Sequence, residues 1–218
     1  MDDSARYVLW GSAGHAKVLA SLIALRGGKV VALFDNNSDA VSVLDGVPLY
    51  VGKEGFVRWC ETGPDRNHLY GLAAIGGARG LDRLAVHEYF RSCKVQLEPL
   101  VHPLASVCPT ALLGPGTQVL AGAVVAANAV LGEACITNHH ATVDHECLLG
   151  DGVHLAPGAT LCGCVRIGRN VMIGAGAIVL PRVNIGDNTL VGAGAVVIGD
   201  LPAGVVVVGN PARIIRSI

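Results

Sequence analysis

Charge and aromatic rings are both scarce in this 218-residue chain: Asp, Glu, Lys and Arg make up 15% of it, and Phe, Trp and Tyr only 4%. A net charge of -1 provides no basic field for nucleic acid and no acidic tail, so small molecules or further copies of the chain are the expected partners. No apolar run reaches the length of about 18 residues that marks a candidate membrane-spanning helix, which speaks against a membrane partner. The start MDDSARYVLW carries acid where a signal peptide is basic, and the expected location is the cytoplasm. Seven cysteines, an odd number with no framework spacing, fit reduced thiols there. Cys162 and Cys164 form a CxC that lacks the two-residue spacer of common zinc sites and has no second pair, so packing is expected of them and no metal.

What is abundant is glycine, 29 residues, and small aliphatic side chains, and their order is periodic. Stepping by six from Val101 to Val197 meets Val, Leu or Ile at 16 of 17 positions, with Thr137 the one exception, although Val, Ile and Leu are only 32 of residues 101–200. Four residues after each of these, from Ala105 through Cys135 and Cys147 to Ala195, stands Ala, Cys, Thr or Val, which specifies a second inward position per hexad. Gly often follows the aliphatic residue, as at Gly114, Gly132, Gly150 and Gly168, where a corner with positive φ is expected. A helix would show a 3.6-residue period and a sandwich a period of two, so the strict period of six points to a parallel β-helix. Three hexads make one triangular coil, and about five such coils stack so that each buries the inner face of the next. Short aliphatic strands such as Val119 to Val125 are expected to leave an apolar outer surface, which a trimer would bury.

The first hundred residues read differently. Arg6–Trp10, Val30–Phe34 and Leu69–Ile75 are strand candidates, Ala16–Leu25 and Leu81–Arg91 have helical periodicity, and glycine turns lie between them. That is a small parallel α/β domain, Rossmann-like in its strand, glycine turn and helix order. The turn Gly11-Ser12-Ala13-Gly14-His15 would present amides and a helix N-terminus to a phosphate, and Asp35 at the end of the next strand would meet a nucleoside. GSAG lacks the third Gly of the dinucleotide fingerprint, so close strand-helix packing explains it equally well.

The hexads of residues 101–200 and the ending Gly209-Asn210-Pro211-Ala212-Arg213 resemble the hexapeptide-repeat acyltransferases. That resemblance implies left-handed coils, trimers with active sites between subunits, and a GNPA[KR] tail near coenzyme A. The order GxxGH turn, strand ending in Phe34-Asp35, Ala74-Ile75-Gly76 loop and then coils is similar to the sugar O- and N-acetyltransferases of the sialic-acid and bacillosamine type, and most of all to the perosamine N-acetyltransferases. The expected fold is thus a small Rossmann-like α/β domain, residues 1–100, followed by a left-handed parallel β-helix, residues 101–200, and a tail, residues 201–218. The resemblance implies acetyl-CoA as co-substrate and transfer to the 4-amino group of a nucleotide-linked 4-amino-4,6-dideoxy sugar, GDP-perosamine in the first instance, in lipopolysaccharide O-antigen biosynthesis. Gly11, Gly14, His15, Asp35, Asn36, Gly76, Arg79 and Asn138 would then bind the nucleotide sugar.

The densest polar segment in the coils is Asn138-His139-His140-Ala141-Thr142-Val143-Asp144-His145-Glu146, with His154 nine residues after His145. Acyl transfer from a thioester to an amine needs a proton acceptor near neutral pH, which histidine supplies, and a neighbouring carboxylate fixes its tautomer. Against the family pattern His145 is the general base, Glu146 orients it, and the Gly163 amide is the oxyanion donor. The same pattern puts His154 near the acetyl group. Gly174-Ala175 and Gly192-Ala193, one whole coil apart, would carry the pantetheine arm, with Pro211 and Arg213 near the cofactor. His139 and His140 are read as lining or surface.

Three other functions fit parts of this pattern. An O-acetyltransferase acting on a sugar hydroxyl would use the same residues. A β-helical zinc carbonic anhydrase could draw on His140 and His145, but His102 is out of step with the two whole coils that should separate a third ligand from His140. A non-catalytic scaffold would leave the Asp144-His145-Glu146 cluster and the GNPAR ending without a purpose.

Overall fold

The computed structural model describes residues 5–62 and 67–218; the acidic start at Asp2 and Asp3 lies outside the described residues. The chain divides into two compact units, residues 1–75 with 85–98, and residues 76–84 with 99–218. Against the boundary expected at residue 100, a short segment around Arg83 therefore groups with the coils.

In the first unit β1 (Arg6–Trp10) lies centrally between β2 (Lys29–Asp35) and β4 (Leu69–Ala73), and β3 (Leu49–Val51) extends the edge beyond β2. All four strands are parallel. The crossovers carry α1 (Gly14–Leu25) and α2 (Gly52–Glu61), and α3 (Gly80–Ser92), which follows β4, belongs to this unit from Ala85 onward. All nine aromatic residues of the chain precede residue 100, and they are concentrated here. Phe34 and Phe56 meet edge to face with centroids 5.0 Å apart, and Trp10 lies within 6.2 Å of Phe34, Phe56, Tyr89 and Phe90. β3 and α2 have no counterpart in the sequence reading. The strand is three residues long, and only the stripe Gly55, Phe56, Trp59 and Cys60 marks the buried face of the helix.

The second unit is the left-handed parallel β-helix. Two-residue strands recur every six residues, and each pairs in register with the strands one coil before and one coil after it, as Val130 does with Leu112 and Leu148. Three walls result. The first runs from Leu100–Val101 to Val205–Val208, the second from Ser106–Val107 to Val196–Val197, and the third from Leu112–Leu113 to Asn184–Ile185. The second residue of each strand points inward, and one continuous aliphatic core runs from Val119 to Val207. Residues 201–218 complete this helix: Leu201 bridges to Ile185, Val205–Val208 adds to the first wall, and Arg213–Ser217 closes that wall as an antiparallel strand.

Two details correct the sequence reading. Val119 and Val125 are fully inward, at 0% and 1% exposure, and the exposed aliphatics of the coils include Leu104, Leu112, Ile178, Leu180 and Ile198. The corner glycines that follow the aliphatic residues are also not the ones with positive φ. Positive φ recurs every six residues at a later corner position, at Gly116, Gly122, Asn128, Ala134, His140, Glu146 and onward. Gly114, Gly150 and Gly174 are instead required by closeness, since a Cβ at each would come within 2.5–2.8 Å of the backbone of the next coil.

Thr137, the exception to the aliphatic series, is wholly buried, and its Oγ1 has no hydrogen-bond partner among the described residues. A buried hydroxyl without a partner costs about 1–3 kcal/mol, so Thr137→Val, which keeps the shape and removes the hydroxyl, is expected to raise stability by about 1 kcal/mol. Calorimetry should show the melting temperature rising by roughly 2–4 °C; a fall would show that the hydroxyl makes a favourable interaction.

Candidate active site

The sequence-derived residues fall into three groups. In the first unit, Asp35 at the end of β2 accepts hydrogen bonds from the Ser12 amide (2.8 Å) and the Asn37 amide (2.9 Å), so the carboxylate ties the glycine turn to the strand end. Two carboxylate oxygens offer about four acceptor sites, and capacity remains. Gly11 has φ +115°, and a Cβ there would run into the Ala74 carbonyl, so a side chain is excluded on both counts. Gly14 opens α1 with nothing within 4 Å of a would-be Cβ, and no side chain caps that helix. His15 follows in the first turn, partly buried, and Asn36 is exposed.

The second group sits on the first wall. His154 starts the strand His154–Leu155 and is 5% exposed. Its Nδ1 lies 3.2 Å from the Gly77 carbonyl and its Nε2 3.3 Å from Asn138 Nδ2. The carbonyl can only accept, so Nδ1 carries the proton and Nε2 receives the amide N–H, which defines a neutral tautomer. Asn138 Oδ1 in turn accepts the His139 amide at 2.8 Å. Gly76 stands against the same imidazole, 3.9 Å from Cε1 to a would-be Cβ, and Arg79 pairs with Asp82 at 2.5 Å. A hydrogen-bonded seat for His154 is thus built by the Gly76-Gly77 loop and Asn138. Arg83 fixes the same segment, with Nε donating to the Ala134 carbonyl (2.9 Å) and a terminal nitrogen to the Gly152 carbonyl (2.7 Å). Burial pulls this guanidinium down to about 10, still charged at neutral pH.

The third group occupies the corner between the second and third walls. Asp144, His145 and Glu146 turn the chain there, with the His145 amide held by Asp144 Oδ1 (2.7 Å) and the Glu146 amide by the Ala127 carbonyl one coil earlier (2.9 Å). Glu146 Oε2 lies 3.1 Å from His145 Nδ1. The carboxylate accepts the Nδ1 proton, which leaves the Nε2 lone pair free for an incoming proton. The imidazole extends over Gly163 in the next coil, where a Cβ would come within 2.6 Å of its Cε1. Among the described backbone hydrogen bonds the Gly163 carbonyl accepts from Arg182, while the Gly163 N–H donates to none. Cys164, which was expected to serve packing, is partly exposed and reaches Glu146 Oε2 at 3.6 Å.

His145 stands at a corner and His154 on the wall facing that corner across the triangle, so within one chain the coil core separates them. His140 is at yet another corner, its ring lying against Gly122, so His140 and His145 do not share a site in one chain. Gly174-Ala175 and Gly192-Ala193 stack in the same corner column as Asn138, with both alanines exposed. The GNPAR ending clasps the last coil, with the Val196 amide bonded to the Gly209 carbonyl and the Ala212 amide to the Val196 carbonyl. Pro211 and Arg213 are exposed there.

Residues 164–199 match the bacterial transferase hexapeptide family (six repeats). Comparison with curated sequences gives no significant match. Among solved structures, the acetyltransferase domain of PglB from Neisseria gonorrhoeae in complex with acetyl coenzyme A is 33% identical, with a TM-score of 0.85 over 97% of this chain and 100% of that one. A histidine-to-asparagine variant of perosamine N-acetyltransferase from Caulobacter crescentus, in complex with CoA and GDP-perosamine, is 35% identical, with a TM-score of 0.88 over 97% of each chain. WeeI from Acinetobacter baumannii is 26% identical, with a TM-score of 0.85 over 96% of this chain and 99% of that one. Fold, corner geometry and these likenesses define a hexapeptide-repeat transferase. More narrowly, the chain belongs to the acetyl-CoA-dependent sugar N-acetyltransferases of that class.

Because the imidazole fits only over a residue without a side chain, Gly163→Ala is expected to displace it and to lower turnover by about 10²-fold, the cost of a misplacement of about 1 Å. Gly199→Ala, two coils further along the same corner, has open space around its Cβ and should leave turnover unchanged. Steady-state assays on both variants, with melting temperatures as a check on folding, test this; equal activities would show that the ring does not depend on Gly163.

Proposed function

We propose that the chain transfers acetyl from acetyl-CoA to the 4-amino group of a nucleotide-linked 4-amino-4,6-dideoxy sugar, with GDP-perosamine as the first candidate and His145 as general base. The observation that carries this reading is the Glu146–His145 pair, an imidazole whose Nδ1 is taken up by a carboxylate and whose Nε2 is left over the bare Gly163 backbone. The similarity to proteins solved with acetyl coenzyme A, or with CoA and GDP-perosamine, supports the substrates.

In this mechanism the neutral amine attacks the thioester carbonyl carbon and His145 Nε2 accepts the proton that the nitrogen sheds. Glu146 stabilises the imidazolium, and the Gly163 N–H receives the oxyanion. As the C–S bond breaks, the imidazolium returns its proton to the departing thiolate, giving the amide and free coenzyme A. A thiol relay has little support in the coil interior, because burial pushes Cys135 up to about 12 and Cys147 up to about 11.

The remaining assignments follow the same reading. Gly11, Gly14, His15, Asp35 and Asn36, with Gly76, Arg79 and Asn138, bind the nucleotide sugar. The pantetheine arm runs along Gly174-Ala175 and Gly192-Ala193 toward Pro211 and Arg213. His154 faces away from His145 within one chain, so it would meet the acetyl group at the corner of a neighbouring subunit, which makes the working form a homotrimer. The exposed Leu104, Leu112, Ile178, Leu180 and Ile198 give that assembly apolar surface to bury.

His145→Asn is expected to lower kcat by about 10²- to 10⁴-fold with little change in coenzyme A affinity, and Glu146→Gln by less, since it disturbs orientation and leaves the acceptor in place. Thiol release with GDP-, UDP- and dTDP-linked 4-amino sugars reads both the base and the substrate. Near-normal turnover by His145→Asn across pH 6 to 9 would remove His145 from the role.

A further inference from the structure

We infer that His145, Glu146 and Cys164 form a binding site for a thiophilic divalent cation such as Zn²⁺, and that the cation inhibits the enzyme. Among the described residues these three are the one group of His, Cys, Asp or Glu side chains whose ligand atoms all lie within 4.8 Å of one another. Glu146 Oε2 is 3.1 Å from His145 Nδ1 and 3.6 Å from Cys164 Sγ. Tetrahedral zinc with bonds of about 2.0–2.3 Å to nitrogen, oxygen and sulfur has ligand-to-ligand edges of about 3.3–3.6 Å, so the two edges that meet at Glu146 Oε2 are close to those of such a site, and the third closes within 4.8 Å. Water would take the fourth position.

The backbone sets this spacing. Glu146 and Cys164 are equivalent residues of adjacent coils, both at positive φ (57° and 62°). The Cys164 amide donates to the His145 carbonyl at 2.8 Å, which fixes the thiol beneath the carboxylate. Asp144, the other acid of the corner, turns its Oδ1 to the His145 amide. The soft ligand, Cys164, selects Zn²⁺ or Cd²⁺ over Mg²⁺ or Ca²⁺.

Binding has a chemical consequence that rests on His145 being the base. A metal on Nδ1 requires that lone pair, so the ring proton moves to Nε2, and the thiol gives its proton to solvent. An imidazole protonated on Nε2 cannot accept the proton of an attacking amine. The cation therefore stops the base without occupying either substrate's place.

Cd²⁺ titration of the full chain, followed by the ultraviolet charge-transfer absorbance of a cadmium thiolate, tests the site. One equivalent per chain should bind. Cys164→Ser should weaken binding at least about tenfold, the smaller end of what even a lost outer partner costs a metal site, and Cys162→Ser should bind as the unaltered chain does. A titration unchanged by Cys164→Ser would overturn the proposal, as would a Cd²⁺ band lost in Cys162→Ser. Turnover with Zn²⁺, divided for each protein by its own metal-free rate, should fall at least about tenfold for the unaltered chain, recover with a chelator, and stay near one for Cys164→Ser. Binding that depends on Cys164 without loss of turnover would sustain the site and overturn His145 as the base.

Discussion

The register between successive coils is the constraint on which the His145 corner depends. Each coil satisfies the backbone of the one before it, and at the His145 corner this becomes a ladder. The Glu146 amide bonds to the Ala127 carbonyl, the Cys164 amide to the His145 carbonyl and the Arg182 amide to the Gly163 carbonyl, at 2.8–3.0 Å. Such bonds are individually worth about 1 kcal/mol, yet their repetition leaves a corner residue no freedom to slide along the stack. A side chain in one coil therefore meets a fixed partner in the next, which is how His145 comes to lie over Gly163 and Glu146 over Cys164.

That ladder also explains why the His145–Glu146 pair sits at a corner. Wall positions alternate inward and outward, and the inward ones are filled by aliphatic side chains with almost no exposure, where burial keeps the thiols of Cys135 and Cys147 protonated. The corners are outside the core, and one residue of each is held at positive φ in a recurring series from Gly116 to Gly194. Glu146 takes that conformation even though only Gly adopts it without cost, and the carboxylate is thereby directed back toward the ring that precedes it.

The inward pair of each hexad was legible in the sequence because burial in a coil admits only a narrow range of sizes at a fixed spacing. The Asp144-His145-Glu146 cluster was legible as an interruption of that regularity. Other features left no local signal. Which corner residue takes positive φ could not be told from glycine content, since Gly114 and Gly174 are glycines for want of space while His140, Glu146 and Cys164 occupy the strained position. The seat of His154 joins that ring to Gly77, far back in the chain, and the contact of Cys164 with Glu146 appears only when whole coils are counted and the corners aligned. In the first unit β3 and α2 were missed because most ring contacts of Phe56 and Trp59 are with residues distant in the chain, Phe34 among them.

The central claim is that the acetyl group passes directly from thioester to amine at the His145 corner, with no enzyme-bound acetyl between them. Initial rates measured over a grid of acetyl-CoA and GDP-perosamine concentrations decide this. Direct transfer predicts double-reciprocal lines that intersect, because both substrates must be bound before the proton leaves the amine. Parallel lines, with coenzyme A released before the sugar arrives, would contradict the account.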